Sequence, residues 1–133
     1  HDAYWPLGNS ATLPHAKNSF RNRAMKLSLD AEIAPEKLTR YLLVKRPIGD
    51  KSEFLKRAGY TLDNWQQLEQ NIRQQLLPEE AVAVKQSGYG KYFAITASLT
   101  GPNGVALRMN TVWMTEFKNG ITKFITLYPD RGR

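Results

Sequence analysis

Residues 110–117, NTVWMTEF, alternate with the period of a β-strand, yet one side of the alternation carries Thr111, Trp113 and Thr115 where aliphatic residues are usual. A second alternating stretch, ITKFITLY (121–128), ends on Thr126 and Tyr128. Hydroxyls and an indole in neighbouring strands suit two tasks, holding a phosphate oxygen and stacking a base. Cations border them: Arg108 precedes Thr111, Lys123 precedes Thr126, and Lys45, Arg46 and Lys51 cluster where a loop runs into a helix. An ammonium group beside the free N–H groups of a helix start suits a phosphate. RNA cleavage without a metal needs this kit: a group to take the 2′-OH proton, cations or hydroxyls to hold phosphate charge, and a ring to stack a base. Each residue taken singly also has a plainer reading. Thr and aromatic residues are good strand formers, Trp113 suits a core, and a lone Lys or Arg is a solvated surface charge.

Other chemistries find less support. The only histidines are His1 and His15, and the carboxylates lack the HExxH or DxDxDG spacing that ligates metals, so neither a metal site nor a cofactor is expected. The chain contains no GxxxxGK, GxSxG or GxGxxG pattern, which removes ATP, esterase and NAD chemistry. No cysteine is present, so the fold must rest on packing and hydrogen bonds. Lys and Arg total 19 against 12 acidic residues, a net charge of +7 that attracts polyanions or acidic protein surfaces, with nucleic acid the leading partner class.

The elements that must carry these residues read as follows. A length of 133 residues fits one domain, and 41% hydrophobic residues supply an ordinary core. No apolar run reaches the eighteen or so residues a membrane span needs, and HDAYWPLGNS has neither the basic start nor the apolar stretch of a signal peptide. The first residue is His1, and the chain is expected to be a piece of a longer protein. Residues 1–30, rich in Pro, Gly, Asn and Ser with a basic patch, read as an arm or linker with room for one short helix.

Residues 31–133 read as one domain. In PEKLTRYLL, Pro35 stands at a first helical position, Glu36 favours the positive helix start, and Leu38, Tyr41 and Leu42 recur at helical spacing. KRPIG breaks the chain, Asp50 with Glu53 opens a helix KSEFLKRA, and Gly59 ends it. Thr61 or Asp63 caps a third helix with Trp65, Leu68, Ile72 and Leu76 on one side, before Pro78 stops it. After residue 80 the period falls to two, predicting strands over 81–86, 92–99, 105–117 and 121–128, joined by the short turns SGYG, TGPNG and KNG. The predicted class is α+β, with N-terminal helices packed on a four-stranded antiparallel meander. A turn at KNG pairs Phe117 near Ile121 and sets 111–113 opposite 125–127. Thr111, Trp113, Thr126 and Tyr128 then become neighbours if a bulge puts both sets on one side.

The runs LPHA, PEKLTRYLL, PIGDKSEFLKRAGYT, LLP, YGKYFAITASLTGPNG, TVWMTE and ITLYP, across residues 13–129, resemble a family of functionally unassigned bacterial domains at the C-termini of polymorphic toxins. GDKSEF, LTGPNG, TVW and TLYP are its specific pieces, while residues 62–76 match in pattern only. Similar domains end contact-dependent growth inhibition proteins of the CdiA type, and the helix-then-four-strand order resembles the barnase, EndoU, colicin and RelE ribonucleases. That resemblance implies a secreted or surface-delivered antibacterial toxin acting in the target-cell cytoplasm. Its activity would be that of a metal-independent endoribonuclease, a hydrolase that cuts tRNA by 2′-OH attack to leave a cyclic phosphate. It implies tRNA and an acidic immunity protein as partners, and it admits a host factor. The fold group varies its active residues, so roles come from this sequence. Lys51 would stabilise the phosphorane or protonate the leaving oxygen, Tyr128 or Thr126 would orient or deprotonate the 2′-OH, and Thr111 would hold a phosphate oxygen. Trp113 would stack a base or wall the cleft, and Lys45, Arg46, Arg108 and Lys123 would carry the RNA backbone. The alternative is a non-catalytic basic module that binds RNA or an acidic protein.

Overall fold

A computed structural model describes residues 25–131, and their order is the expected one, helical segments followed by a four-stranded antiparallel sheet. Both histidines and most of the predicted arm, with its short helix, lie outside the described residues. Residues 25–30, read from sequence as the end of that arm, belong to the fold: Met25 bridges Ala81 and Leu27 is buried.

Helix α1 starts at Pro35–Lys37 and widens into a π-helical turn over Leu38–Leu42, with Leu38 and Leu42 fully buried. Pro35 suits the first turn because a helix start has no partner for the N–H that proline lacks. Helix α2 spans Ser52–Lys56, and Gly59, at φ +96°, follows it in the left-handed conformation that the end of such a helix favours. Helix α3 is entered through a 3-10 turn, Leu62–Asn64, runs over Trp65–Asn71 and ends in a π-helical turn, Ile72–Leu76. Of the two caps the sequence offers, Thr61 is the one used, and the cap is reciprocal: Thr61 Oγ1 accepts from the Asp63 N–H at 3.2 Å and Asn64 Oδ1 accepts from the Thr61 N–H at 2.8 Å. Leu68, Ile72 and Leu76 are fully buried, as their spacing predicts. No helix among the described residues is long and apolar enough to cross a membrane.

The strands are β1 (Val82–Gln86), β2 (Gly90–Thr100), β3 (Ala106–Glu116) and β4 (Thr122–Pro129), hydrogen-bonded in chain order. On β2 and β3 the odd-numbered residues Phe93, Ile95, Ala97, Leu99, Leu107, Met109, Thr111 and Trp113 are buried with the helices' apolar side chains. The even-numbered Tyr92, Thr96, Ser98, Arg108, Asn110 and Met114 are half-buried or exposed. The free edge of β4 is partly covered. Glu32 runs parallel to it, donating to the Thr122 carbonyl at 2.8 Å and accepting from the Phe124 N–H at 2.8 Å. That cover ends where a bulge begins.

The bulge decides which side chains share a face. Near the turn Trp113 pairs with Phe124; one step on, Val112 pairs with Thr126, so Ile125 is the extra residue. An extra residue reverses the alternation beyond it. Leu127 therefore comes opposite Thr111 in the core, while Thr126 and Tyr128 pair with Val112 and Asn110 on the other face. The expectation that a bulge unites Thr111, Trp113, Thr126 and Tyr128 is thus corrected: the bulge exists and separates them. Its return is apolar, since it puts Phe124 and Leu127, three apart, both into the core.

Candidate active site

The site is assembled from a loop, a helix and the bulged strand edge. Asp50 organises the loop, because its Oδ1 accepts from the Arg46 N–H at 2.9 Å and from Ser52 Oγ at 2.7 Å, while Oδ2 accepts from the Glu53 N–H at 3.2 Å. One carboxylate thus closes the 46–50 turn and satisfies the exposed N–H groups that start α2. The Ser52 hydroxyl first, then the backbone donors, hold its carboxyl below the usual range.

With the loop so closed, two cations meet Tyr41 of α1. The Arg46 guanidinium lies 5.0 Å from the ring centroid, and the Lys51 ammonium lies 5.2 Å from it. Lys51 Nζ also donates to the Tyr41 phenol oxygen at 3.1 Å. From the sheet side comes the Thr126 hydroxyl, which donates to the Leu127 carbonyl at 3.4 Å and stands near enough to the phenol to help lower its pKa. The Lys51 hydrogen bond, the Thr126 hydroxyl and the charges of Lys51 and Arg46 together hold the Tyr41 phenol below its ordinary value of 10.0, against the opposing effect of burial. Beside this cluster a hollow of about 470 Å³ opens between the start of α1 and the bulge, lined by Ala34, Glu36, Lys37, Tyr41, Ile125 and Thr126.

The structure therefore brings together three of the residues singled out from sequence, Lys51, Arg46 and Thr126. It does not bring in the others. Thr111 and Trp113 are fully buried: Thr111 Oγ1 donates to the Ile95 carbonyl at 3.1 Å and accepts from Trp113 Nε1 at 2.8 Å, and the indole meets the Phe124 ring edge-on at 5.2 Å. The polar side of NTVWMTEF is an internal relay that satisfies a core tryptophan, and the cleft floor expected there is corrected on that ground. Lys45 pairs with Glu53 at 3.3 Å on an exposed surface. Tyr128, Arg108 and Lys123 share the exposed side of the sheet, with Arg108 paired to Asp130 at 3.4 Å and Lys123 to Glu116 at 3.2 Å.

Tyr41 is the residue that sequence reasoning missed as a site. Its spacing with Leu38 and Leu42 reads as core, and half of that is right: the ring packs against the core while the hydroxyl points to Lys51. The available signal was a tyrosine, apolar in body and polar at the tip, on an otherwise aliphatic stripe just before a cationic loop.

A half-buried phenol, an ammonium and a hydroxyl at the edge of a basic α+β domain define a candidate acid–base site on a helix-and-meander scaffold. Residues 27–131 match the family described as "Domain of unknown function (DUF6883)", and the chain belongs to that family. No curated protein and no solved structure matches it.

Proposed function

We propose that the domain is a metal-independent endoribonuclease, with Tyr41, Lys51 and Thr126 as its reacting groups. The observation that carries this reading is the Lys51–Tyr41 hydrogen bond at 3.1 Å, with Tyr41 and Thr126 both lining an open hollow. Tyr41 takes the part expected from sequence of Tyr128 or Thr126. As a phenolate, favoured by the Lys51 and Arg46 charges, it removes the 2′-OH proton of a ribose in the hollow. The freed 2′-oxygen forms a bond to the adjacent phosphorus and the bond to the 5′-oxygen breaks, leaving a 2′,3′-cyclic phosphate. Lys51 delivers its proton to the departing 5′-oxygen and leaves as an amine, so the proton count closes. Arg46 and the Thr126 hydroxyl offset negative charge on the phosphorane oxygens. The exposed cations on the sheet, Arg108 and Lys123, suit the RNA backbone, although each now shares its charge with a carboxylate.

The net charge of +7 favours a polyanionic substrate and an acidic inhibitor. With the resemblance to toxin C-terminal domains, it supports tRNA in a target bacterium as substrate, delivery as part of a longer protein, and an acidic immunity protein covering the site.

Purified domain incubated with bacterial total RNA in the presence of a chelator is expected to give discrete fragments ending in cyclic phosphate and 5′-OH. Tyr41→Phe and Lys51→Ala are each expected to lower the rate by about 10²–10⁴-fold, the usual share of one general acid or base. RNA that is bound and left intact by the unaltered domain would instead establish a binding module.

A further inference from the structure

A second hollow of about 470 Å³ lies where the β1–β2 and β3–β4 turns meet, and its walls are Tyr89, Tyr92, Met114, Glu116, Phe117 and Lys118. Two of these rings are unusually open: Tyr89 is 80% exposed and Phe117 55%. Large aromatic side chains left in water at adjacent turns form the kind of patch that marks a binding surface. Their support is firm. The Ser87 N–H donates to the Gly90 carbonyl at 2.9 Å, the Tyr89 N–H to Ser87 Oγ at 3.0 Å, and the Phe117 N–H to the Tyr89 carbonyl at 2.9 Å, which ties one turn to the other.

The charge around the rings favours an anion's neighbour. The Lys85 ammonium sits 4.9 Å from the Tyr92 ring centroid, and the exposed Lys118 lines the hollow. The acidic residue in its walls, Glu116, is already held by Lys123 at 3.2 Å and by Asn119 at 2.8 Å. The strand register relates the hollow to the sheet edge of the proposed active site. Tyr92 pairs with Met114, Met114 with Lys123, and Val112, on the same face two residues further along β3, pairs with Thr126. At about 3.3 Å per residue, Met114 and Val112 stand about 7 Å apart along the strand, with Lys123 between the hollow and Thr126.

We propose that this hollow takes an unpaired nucleobase, stacked on Tyr89 and Phe117, of the RNA strand that enters the Tyr41–Lys51 site, so the substrate is a single-stranded or looped segment. The ligand class rests on the ribonuclease reading above. Rings that stack on any base face select for an unstacked base, and a duplex offers none between its pairs.

The test measures fluorescence anisotropy of the 133-residue chain with a short 2′-O-methyl RNA, which has no free 2′-hydroxyl to attack and so reports binding alone. Tyr89→Ala and Phe117→Ala are each expected to weaken binding of the single strand by about 5- to 150-fold, the usual value of one stacked base. Duplex binding should be unchanged, Tyr89→Trp should restore affinity, and on cleavable RNA the loss should fall on KM rather than kcat. Unchanged single-strand affinity in both variants, with cleavage by the unaltered chain intact, overturns the base site and leaves the ribonuclease reading standing. Weakened binding by the variants of a chain that cuts nothing supports the base site and overturns that reading. Equal losses for single strand and duplex, or self-association that Tyr89→Ala abolishes without affecting RNA, overturn the base site.

Discussion

Replacing Thr111 by Val decides whether that hydroxyl belongs to the core or to the chemistry. The side chain is fully buried, and its oxygen is the acceptor for Trp113 Nε1–H at 2.8 Å and the donor to the Ile95 carbonyl at 3.1 Å. Valine keeps the shape and removes both bonds. The indole N–H becomes a buried donor without a partner, costing about 1–3 kcal/mol, and the loss at Ile95 adds about 0.5–1.5 kcal/mol, less because a carbonyl has a second lone pair. A total of about 1.5–4.5 kcal/mol is a large share of the 5–15 kcal/mol typical of a domain. With a mid-range urea slope of about 2 kcal/mol per molar, the unfolding midpoint should fall by roughly 1–2 M. RNA cleavage per folded molecule should stay within about threefold. In the Trp113→Phe background the donor is already gone, so Thr111→Val should cost less by a coupling of about 0.5–3 kcal/mol. An unchanged midpoint together with cleavage lowered by about 10²-fold or more would show that Thr111 holds a transition-state oxygen and that its burial has been misread.

Three other outcomes are expected. Tyr41 ionises below its ordinary 10.0 chiefly through its Lys51 hydrogen bond, so cleavage that needs the phenolate should rise with pH through an inflection below that value. Lys51→Ala should move the tyrosinate absorbance transition assigned by Tyr41→Phe upward. A folded value below the unfolded one contributes stability that is fully present above the unfolded value and is lost as pH falls through the folded one, so this ionisation should stabilise the domain on the alkaline side. Asp50→Ala leaves the Arg46 and Glu53 N–H groups without their acceptor and should lower the denaturant midpoint. Because it also frees the loop that sets Lys51, it should lower cleavage while Tyr41 titrates higher. Gly101→Ala would place a methyl 2.1 Å from the Ala58 carbonyl oxygen, forcing α2 from the β2–β3 turn at a cost of about 1–3 kcal/mol, whereas Gly88→Ala meets nothing within 4 Å and should stay within about 0.5 kcal/mol.

Much of this fold is legible in the chain because its cues are local. The change of period near residue 80 marks the passage from helices to strands, the Gly- and Asn-rich turns force neighbouring strands to pair in order, and Thr61 with Asn64 writes its own helix start. Asp50 belongs to the same group, since a carboxylate three residues before Glu53 caps whatever helix follows. What the chain alone determined was therefore the set of elements, their order, and the basic loop delivering Lys51 to a helix start.

Which side of the sheet each strand residue occupies was decided elsewhere. Alternation places Thr111 and Trp113 together but cannot say whether their side is buried, because burial depends on helices that pack from tens of residues away. The extra residue at Ile125 leaves no mark in ITKFITLY; it is set by Phe124 and Leu127 competing for the same core, and it alone sends Thr126 away from Thr111 and toward Tyr41. Tyr41 looked like one more apolar position until tertiary packing put an ammonium, a guanidinium and a hydroxyl at its oxygen or ring. A side chain's type is written residue by residue, but its neighbours across space follow from how the layers settle on one another, and a reaction centre consists of such neighbours.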